Sequence, residues 1–126
     1  MARTERQKAL RADLRLLLPS APLADFETIY DDASRPHMRE LRTGAAAWLA
    51  ALAHIRHQYT DYDQLRDEGY DRDSALHFVV DDINTVLTRW RATRLLDPSA
   101  AFEDGGDAND EEAQPKRRKA TKRTEK

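Results

Sequence analysis

The chain has 126 residues, a net charge of −2 and no cysteine. This length fits one domain, and the absence of cysteine excludes disulfides, thiolate metal sites and a cysteine nucleophile. The longest apolar run, Gly44 to Ala53, is about half the ~20 residues that cross a bilayer. The N-terminal residues lack the apolar core of a signal peptide, so we expect a cytoplasmic protein without a membrane anchor.

Charge is unevenly distributed along the chain. Residues 98–112 carry six acids and no base, whereas Ala113 to Lys126 carries seven bases and one acid. Such segments cannot bury enough apolar surface to offset backbone ordering. We therefore expect an all-helical domain over residues 1–96 and a disordered tail over 97–126, acidic over 97–112 and basic over 113–126.

Helical periodicity predicts two helices in the first third of the chain. The first runs from about Thr4 to Leu18 and ends before Pro19, with an apolar stripe of leucines on one face. Ser20 is a candidate cap for the second helix, whose apolar positions also recur at helical spacing. The link from Arg35 to Arg42 has no such period, so we expect an irregular crossing anchored by Met38 and Leu41. The apolar positions of the second helix are Leu23, Phe26, Ile29, Tyr30 and Ala33.

The central helix begins at Thr43, a candidate N-cap, and is predicted to be buried on two sides. Large apolar side chains recur on one face and alanines on the other, where a second helix can approach closely. Thr60 with Asp63 resembles a capping box for a short helix from Asp61 to Glu68. The large face carries Ala45, Trp48, Leu49, Leu52, Ile55 and Tyr59, and the other carries Ala46, Ala50, Ala53, His54 and His57.

The last helix has the strongest helical pattern. Gly69 is suited to end the helix before it, and Asp71 to cap this one. No stretch alternates with period two, so we expect no sheet, and the fold class is a compact all-α bundle of four to five helices. The predicted buried face comprises Leu76, Val79, Val80, Ile83, Val86, Leu87 and Trp90.

The segment Ala53 to Ala75 resembles a family found in bacteria and fungi and named domain of unknown function 2293. The similarity extends over roughly Leu10 to Trp90 and includes the small-residue run from Gly44 to Trp48. The resemblance implies a shared all-helical domain, but it does not indicate a biochemical activity. The matching positions are His54, Arg56, His57, Thr60, Tyr62, Asp63, Leu65, Gly69 and Arg72.

Most of the polar side chains able to do chemistry lie in one candidate functional cluster of His54, Arg56, His57, Thr60, Tyr62, Asp63 and Arg72. His54 and His57 are neighbours on one helix face. With Asp61, Asp63 or His77 they could ligate zinc, but the spacing does not specify enough ligands, so we expect no metal and no cofactor. Alternatively, both imidazoles bond to nearby carbonyls or carboxylates.

Arg56 falls by angle among apolar side chains, where a charge is costly unless it is paired. A structural ion pair with Asp63, Asp81 or Asp82 is favoured over a phosphate-binding role. Tyr62 and Thr60 are explained by packing and capping. His57 with Asp63 could act as an acid–base pair, but no catalytic residue is assigned, because no complete set of catalytic roles is present.

The basic tail gives the clearest indication of a partner. A flexible, cation-rich arm is typical of segments that bind nucleic acid, and without aromatic residues it would contact phosphates rather than read bases. A solubilising role, or association with the preceding acidic run, is the alternative. The leading hypothesis is a small nucleic-acid-binding module; the others are a protein–protein adaptor and a metal-dependent or acid–base enzyme using His54, His57 and Asp63. The predicted contacts are Lys116, Arg117, Arg118, Lys119, Lys122 and Arg123.

Overall fold

The computed structural model describes residues 4–98, and this range is all-α, as predicted, with no strand. The predicted tail lies outside this range from residue 99 onward. A short 3₁₀ helix, Pro36–Met38, is the regular part of the link between the second and third helices. The α-helices are α1 Glu5–Leu17, α2 Leu23–Ala33, α3 Thr43–Tyr59, α4 Tyr62–Asp67 and α5 Arg72–Arg89.

Helix α1 begins with a complete capping box. The Thr4 hydroxyl accepts the Gln7 backbone N–H, and the Gln7 side chain accepts the Thr4 backbone N–H. The predicted cap of α2 is wrong, because Pro22 occupies the N-cap position and makes no side-chain hydrogen bond. Ser20 lies two residues earlier, and its backbone N–H donates instead to the Trp90 carbonyl. The residue therefore ties the α1–α2 connection to the end of α5.

Helix α3 is the centre of the bundle and packs against α1, α2, α4 and α5. Its alanine side is buried as fully as its large-residue side, so the two-sided prediction holds for most positions. The exceptions are Ala45 and His57, which are exposed, and Tyr59, which is 41% exposed. The fully buried apolar residues of α3 are Ala46, Ala47, Trp48, Ala50, Ala51, Leu52 and Ile55.

The predicted cap of α3 is also wrong. Arg42 is the N-cap residue, without a side-chain capping hydrogen bond, and Thr43 is the first helical residue. The Thr43 hydroxyl donates to the Asp13 carboxylate of α1. A side chain used to join two helices is no longer available to the backbone amides of its own first turn.

Helix α4 ends at Asp67, and Gly69 follows its C-cap residue with a φ of +106°, in the left-handed region where glycine is favoured. The Tyr70 backbone N–H donates to the Leu65 carbonyl, and that of Gly69 to the Arg66 carbonyl, which completes a Schellman motif. Asp71 then caps α5 through the Ser74 backbone N–H at 2.8 Å, as predicted. All seven residues of the predicted buried face are buried.

Beyond α5 the chain turns and packs back onto the bundle. Arg91 makes the turn with a φ of 60°, and the Thr93 backbone N–H donates to the Leu17 carbonyl of α1. The Asn84 side chain donates to the carbonyl of Leu96 and accepts its N–H, at 2.9 and 2.8 Å. Leu96 is the last buried residue of the described range. Within that range no helix is long and apolar enough to cross a membrane.

Candidate functional site

The C-terminal half of α3 carries His54, Arg56 and His57, and the chain that follows it adds Thr60, Tyr62 and Asp63. Two of these are buried polar residues, His54 at 8% and Arg56 at 1% exposure. The two histidines are three positions apart on α3, yet the structure gives each its own carboxylate. The cluster predicted from sequence therefore separates into a buried part and an exposed part.

The buried part centres on Asp25, in the first turn of α2. His54 Nε2 lies 2.6 Å from Asp25 Oδ1, and the two side chains are 7% and 15% exposed. An ionised carboxylate can only accept, so Nε2 is the donor. The Tyr59 hydroxyl donates to both carboxylate oxygens at 3.0 Å. Asp25 thus joins α2 to two successive turns of α3.

Tyr59, the partly exposed partner of Asp25, has a perturbed acidity. Its pKa is raised above the ordinary value of 10.0, first by burial and then by its hydrogen bond to Asp25, because tyrosinate would face a carboxylate. Arg89 acts in the opposite direction. The ring also contacts Trp90 edge to face, with centroids 5.6 Å apart. Tyr59 is therefore a protonated donor at neutral pH, not a general base.

The exposed part is the pair of His57 and Asp63. His57 Nδ1 lies 2.7 and 2.9 Å from the two Asp63 oxygens, and the side chains are 44% and 59% exposed.

The predicted capping box of Thr60 and Asp63 is not formed, because Asp63 bonds to His57. Asp61 is the N-cap residue of α4 and makes no side-chain capping hydrogen bond, whereas the Thr60 hydroxyl donates to the Arg56 carbonyl and accepts the Tyr62 backbone N–H.

Arg56 lies in the core against Tyr62, with Cζ 4.8 Å from the ring centre. Arg66 contacts the same ring at 6.0 Å and donates to the Tyr62 hydroxyl at 3.2 Å. A guanidinium is weakly hydrated and stacks well on aromatic rings, which suits it to this position. Of the carboxylates predicted to pair with Arg56, Asp63 is bonded to His57. At 1% exposure, Arg56 cannot present its charge to a phosphate in solvent.

Arg72 is the first residue of α5. Its guanidinium lies 2.8 Å from the Asp73 carboxylate, and its side chain is 24% exposed. His77, a candidate zinc ligand, contacts the ring of Phe78. Over residues 4–98 no group of three or more potential metal ligands is placed to hold an ion. The tail positions Lys116 to Arg123 lie outside this range.

Sequence reasoning missed a groove between the C-terminal end of α1 and the N-terminal part of α2. Arg11 forms two hydrogen bonds with Glu27, at 2.8 and 3.1 Å, and stacks on Tyr30 at 4.3 Å. Leu23, at the rim, is 73% exposed. The groove has a volume of about 440 Å³ and is lined by Arg11, Arg15, Leu18, Pro19, Ala21, Leu23, Phe26 and Glu27.

Neither the Asp25–His54 pair nor the groove has a local sequence signal. Asp25 and His54 are 29 positions apart, and Arg11 and Glu27 are 16 apart. Each contact depends on how α1, α2 and α3 pack. Asp25 lies in the first turn of α2, where a carboxylate is already favoured by the helix dipole. The sequence therefore offered no reason to expect a distant partner for it.

Comparison with known proteins agrees with the resemblance seen in the sequence. No curated protein and no solved structure matches the chain. The model of the family described as "Uncharacterized conserved protein (DUF2293)" matches residues 13–91, which include α2 to α5 and every residue of the candidate cluster. The match spans more than half of the chain, so the protein belongs to the DUF2293 family.

Proposed function

We propose that the protein is a small helical binding module that contacts nucleic acid through the basic part of its tail. The observation that carries this proposal is the density of cations at the C-terminus. Residues 113–126 hold seven bases and one acid in a chain whose net charge is −2. Lysine and arginine at this density neutralise consecutive phosphates, a sequence-independent interaction. The proposed contacts are Lys116, Arg117, Arg118, Lys119, Lys122 and Arg123.

The surface from which the tail emerges supports the proposal. Residues 83–96 contain three arginines, Arg89, Arg91 and Arg94, and no acid, and all three are exposed. The bond from Thr93 to the Leu17 carbonyl brings this segment beside the last turn of α1, where Arg15 is also exposed. A duplex held by the tail would therefore meet further positive charge on the domain. The acids of residues 97–112 oppose this by competing for the same cations.

The test is a titration of labelled duplex DNA and RNA, and of single strands, followed by fluorescence anisotropy. Replacing the six proposed tail cations by glutamine should abolish most of the binding at low salt. Replacing two of them, Arg117 and Arg118, allows a control matched in charge, in which Arg35 and Arg39, exposed and remote from the tail exit in sequence, are replaced by glutamine. The control should change affinity little. Equal losses in these two double variants would mean that net charge alone is responsible.

A second candidate is a protein–protein adaptor, favoured by the groove between α1 and α2. Its apolar lining is partly exposed, and Arg11 and Arg15 lie at its side, which suits a segment with apolar and acidic residues. Purified protein distinguishes the two candidates. Copurifying nucleic acid, seen as a high 260/280 nm absorbance ratio, supports the first. A copurifying protein that is lost in Leu23→Glu and retained in Leu95→Glu, which alters another exposed leucine, supports the adaptor.

The enzyme alternative gains no support from the geometry. It required His54, His57 and Asp63 to act together, but His54 bonds to Asp25 and His57 to Asp63. The buried His54 is held by its carboxylate, and His57 and Asp63 form a separate exposed pair. We therefore propose no catalytic residue.

A further inference from the structure

An aromatic surface lies at the start of α5 and is formed by exposed residues of its N-terminal half together with Tyr70, which precedes the helix. Phe78 is 57% exposed and Tyr70 43% exposed, and their rings contact edge to face with centroids 5.4 Å apart. His77 contacts Phe78 at 6.1 Å. Packing within the domain does not account for this exposure of two large aromatic side chains. We call Tyr70, His77 and Phe78 the aromatic patch.

Acidic side chains surround the aromatic patch. Asp81 and Asp82 follow Phe78 by three and four positions and therefore share its helix face, and both are exposed. Asp73 precedes His77 by four positions and is exposed too. Residues 61–82 together carry eight acids against two arginines. An aromatic surface with an acidic rim suits a cationic ligand, because the ring faces and the carboxylates both attract positive charge.

We propose that the aromatic patch is a docking site for the chain's own basic segment, Lys116 to Arg123. The segment has six cations and no acid. Its lysines and arginines would lie over the rings of Phe78 and Tyr70 while their neighbours pair with Asp81 and Asp82. Nucleic acid is disfavoured at this patch, because phosphates would be repelled by the same carboxylates.

The path of the chain makes this intramolecular contact easy to reach. The Asn84 side chain holds Leu96 by two hydrogen bonds, so the tail leaves the domain beside α5. Asn84 and Phe78 are six residues apart on one helix, or about 9 Å along its axis. Nineteen residues separate the domain from the basic segment, Asp97 to Pro115, and a flexible chain of that length has a typical span of roughly 24 Å. The basic segment is thereby held near the aromatic patch at a high effective concentration.

The proposed docking of the basic segment does not depend on nucleic-acid binding, but it would affect that binding. A tail held on α5 is not available to phosphates, so a nucleic acid would have to displace it. The acids of residues 97–112 are the competing intramolecular partner, and they offer no aromatic surface other than Phe102.

The experiment uses the full chain and paramagnetic broadening of amide NMR signals. The protein has no cysteine, so a spin label on Ala120→Cys marks the basic segment without removing a cation. Amides from Tyr70 to Asp82 should lose most of their intensity at low salt and recover it at roughly 0.5 M salt, where charges are screened beyond a few ångströms. A label on Ala108→Cys, in the acidic run, should leave them much less affected.

Substitutions at the aromatic patch separate specific docking from charge attraction. Phe78→Ala with Tyr70→Ala should restore most of the intensity, and so should Asp81→Lys with Asp82→Lys. Asp31→Lys, at an exposed position of α2, is the control and should restore little. Broadening that is spread evenly over the domain, or that is unchanged by the Phe78 and Tyr70 substitutions, would overturn the proposal.

A mixed sample shows whether the docked basic segment belongs to the same molecule or to a second copy. Spin-labelled chain without ¹⁵N is added to ¹⁵N-labelled chain without the spin label, so that broadening reports only contacts between molecules. The proposal requires little broadening in the mixture. Broadening as strong as in the singly labelled protein would show that the patch receives the tail of a second copy, and would overturn the intramolecular assignment.

Discussion

His54 Nε2 and Asp25 Oδ1 lie 2.6 Å apart. This contact joins the C-terminal half of α3 to the first turn of α2. The same helix bears a second pair, His57 with Asp63, at 2.7 Å. The two pairs have the same chemistry and nearly the same distance. They differ in burial, at 7% and 15% exposure for one and 44% and 59% for the other. Burial therefore decides what each pair contributes.

Removing Asp25 should destabilise the protein much more than removing Asp63. Asp25→Ala leaves His54 buried without its acceptor, which costs about 1–3 kcal/mol in the free energy of unfolding. Asp63→Ala removes an exposed pair, which contributes about 0.2–1 kcal/mol. Urea denaturation of the two variants measures both free energies. Equal losses would show that the Asp25–His54 pair is not the structural contact described here.

The raised pKa of Tyr59 predicts a titration that depends on Asp25. The ring should ionise above 10.0, the ordinary value, and Asp25→Ala should lower the pKa without fully restoring it, because burial is the larger cause. A pKa raised on folding contributes stability that is present below the unfolded value and lost as pH rises through the folded value. Stability should therefore fall above about pH 10. NMR of ¹³C-labelled tyrosine rings, assigned with Tyr59→Phe, measures the titration.

The buried alanine side of α3 predicts a marked asymmetry between two substitutions in the same helix. Ala50 is 1% exposed, so Ala50→Leu should cost about 1–3 kcal/mol through overpacking. Ala45 is exposed in the first turn, and Ala45→Leu should change stability by less than about 0.5 kcal/mol. An unchanged melting temperature in Ala50→Leu would mean that this side of α3 is not closely packed.

Helix α5 ends in the same Schellman geometry as α4, since the Ala92 backbone N–H donates to the Leu87 carbonyl and that of Arg91 to the Thr88 carbonyl. The residue in the left-handed position differs. Gly69 has a φ of +106° and Arg91 a φ of 60°. Gly69→Ala should destabilise by about 1 kcal/mol, although its added Cβ meets no atom within 4 Å, because the cost lies in the backbone. Arg91→Gly should instead stabilise by about 0.5–1 kcal/mol. Thermal unfolding of both variants measures the two signs, and a loss of stability in Arg91→Gly would assign Arg91 a contact that outweighs its backbone strain.

The helices could be predicted from the sequence because their signals are local. The spacing of Leu14 and Leu18, or of Val79 and Ile83, defines one face of a helix regardless of which element packs against it. Gly69 and Asp71 mark helix ends through interactions with nearby backbone groups. Capping at Ser20, Thr43 and Thr60 was predicted incorrectly. Ser20 and Thr43 bond to Trp90 and to Asp13, respectively, and such long-range partners are invisible to a local pattern.

The same distinction applies to the candidate cluster. His57 and Asp63 are six positions apart, and their pairing was considered from spacing alone, whereas the partnership of His54 with Asp25 required knowledge of how α2 crosses α3. The exposure of the aromatic patch was equally inaccessible. Phe78 lies between His77 and Val79, and the sequence does not show that the packing of residues 4–98 leaves its ring exposed.

The central claim, nucleic-acid binding by the basic tail, is tested most directly by the salt dependence of binding with and without Ala113 to Lys126. Seven contacts on duplex would give a log–log slope of about −6, and we expect about −3 to −4 because the neighbouring acids compete for the cations. Deleting the segment should weaken binding and flatten the slope, while the free energy of unfolding stays within about 0.5 kcal/mol. Binding that survives the deletion with the same slope, or no binding of the intact protein at low salt to duplex or single-stranded DNA or RNA, would contradict the claim.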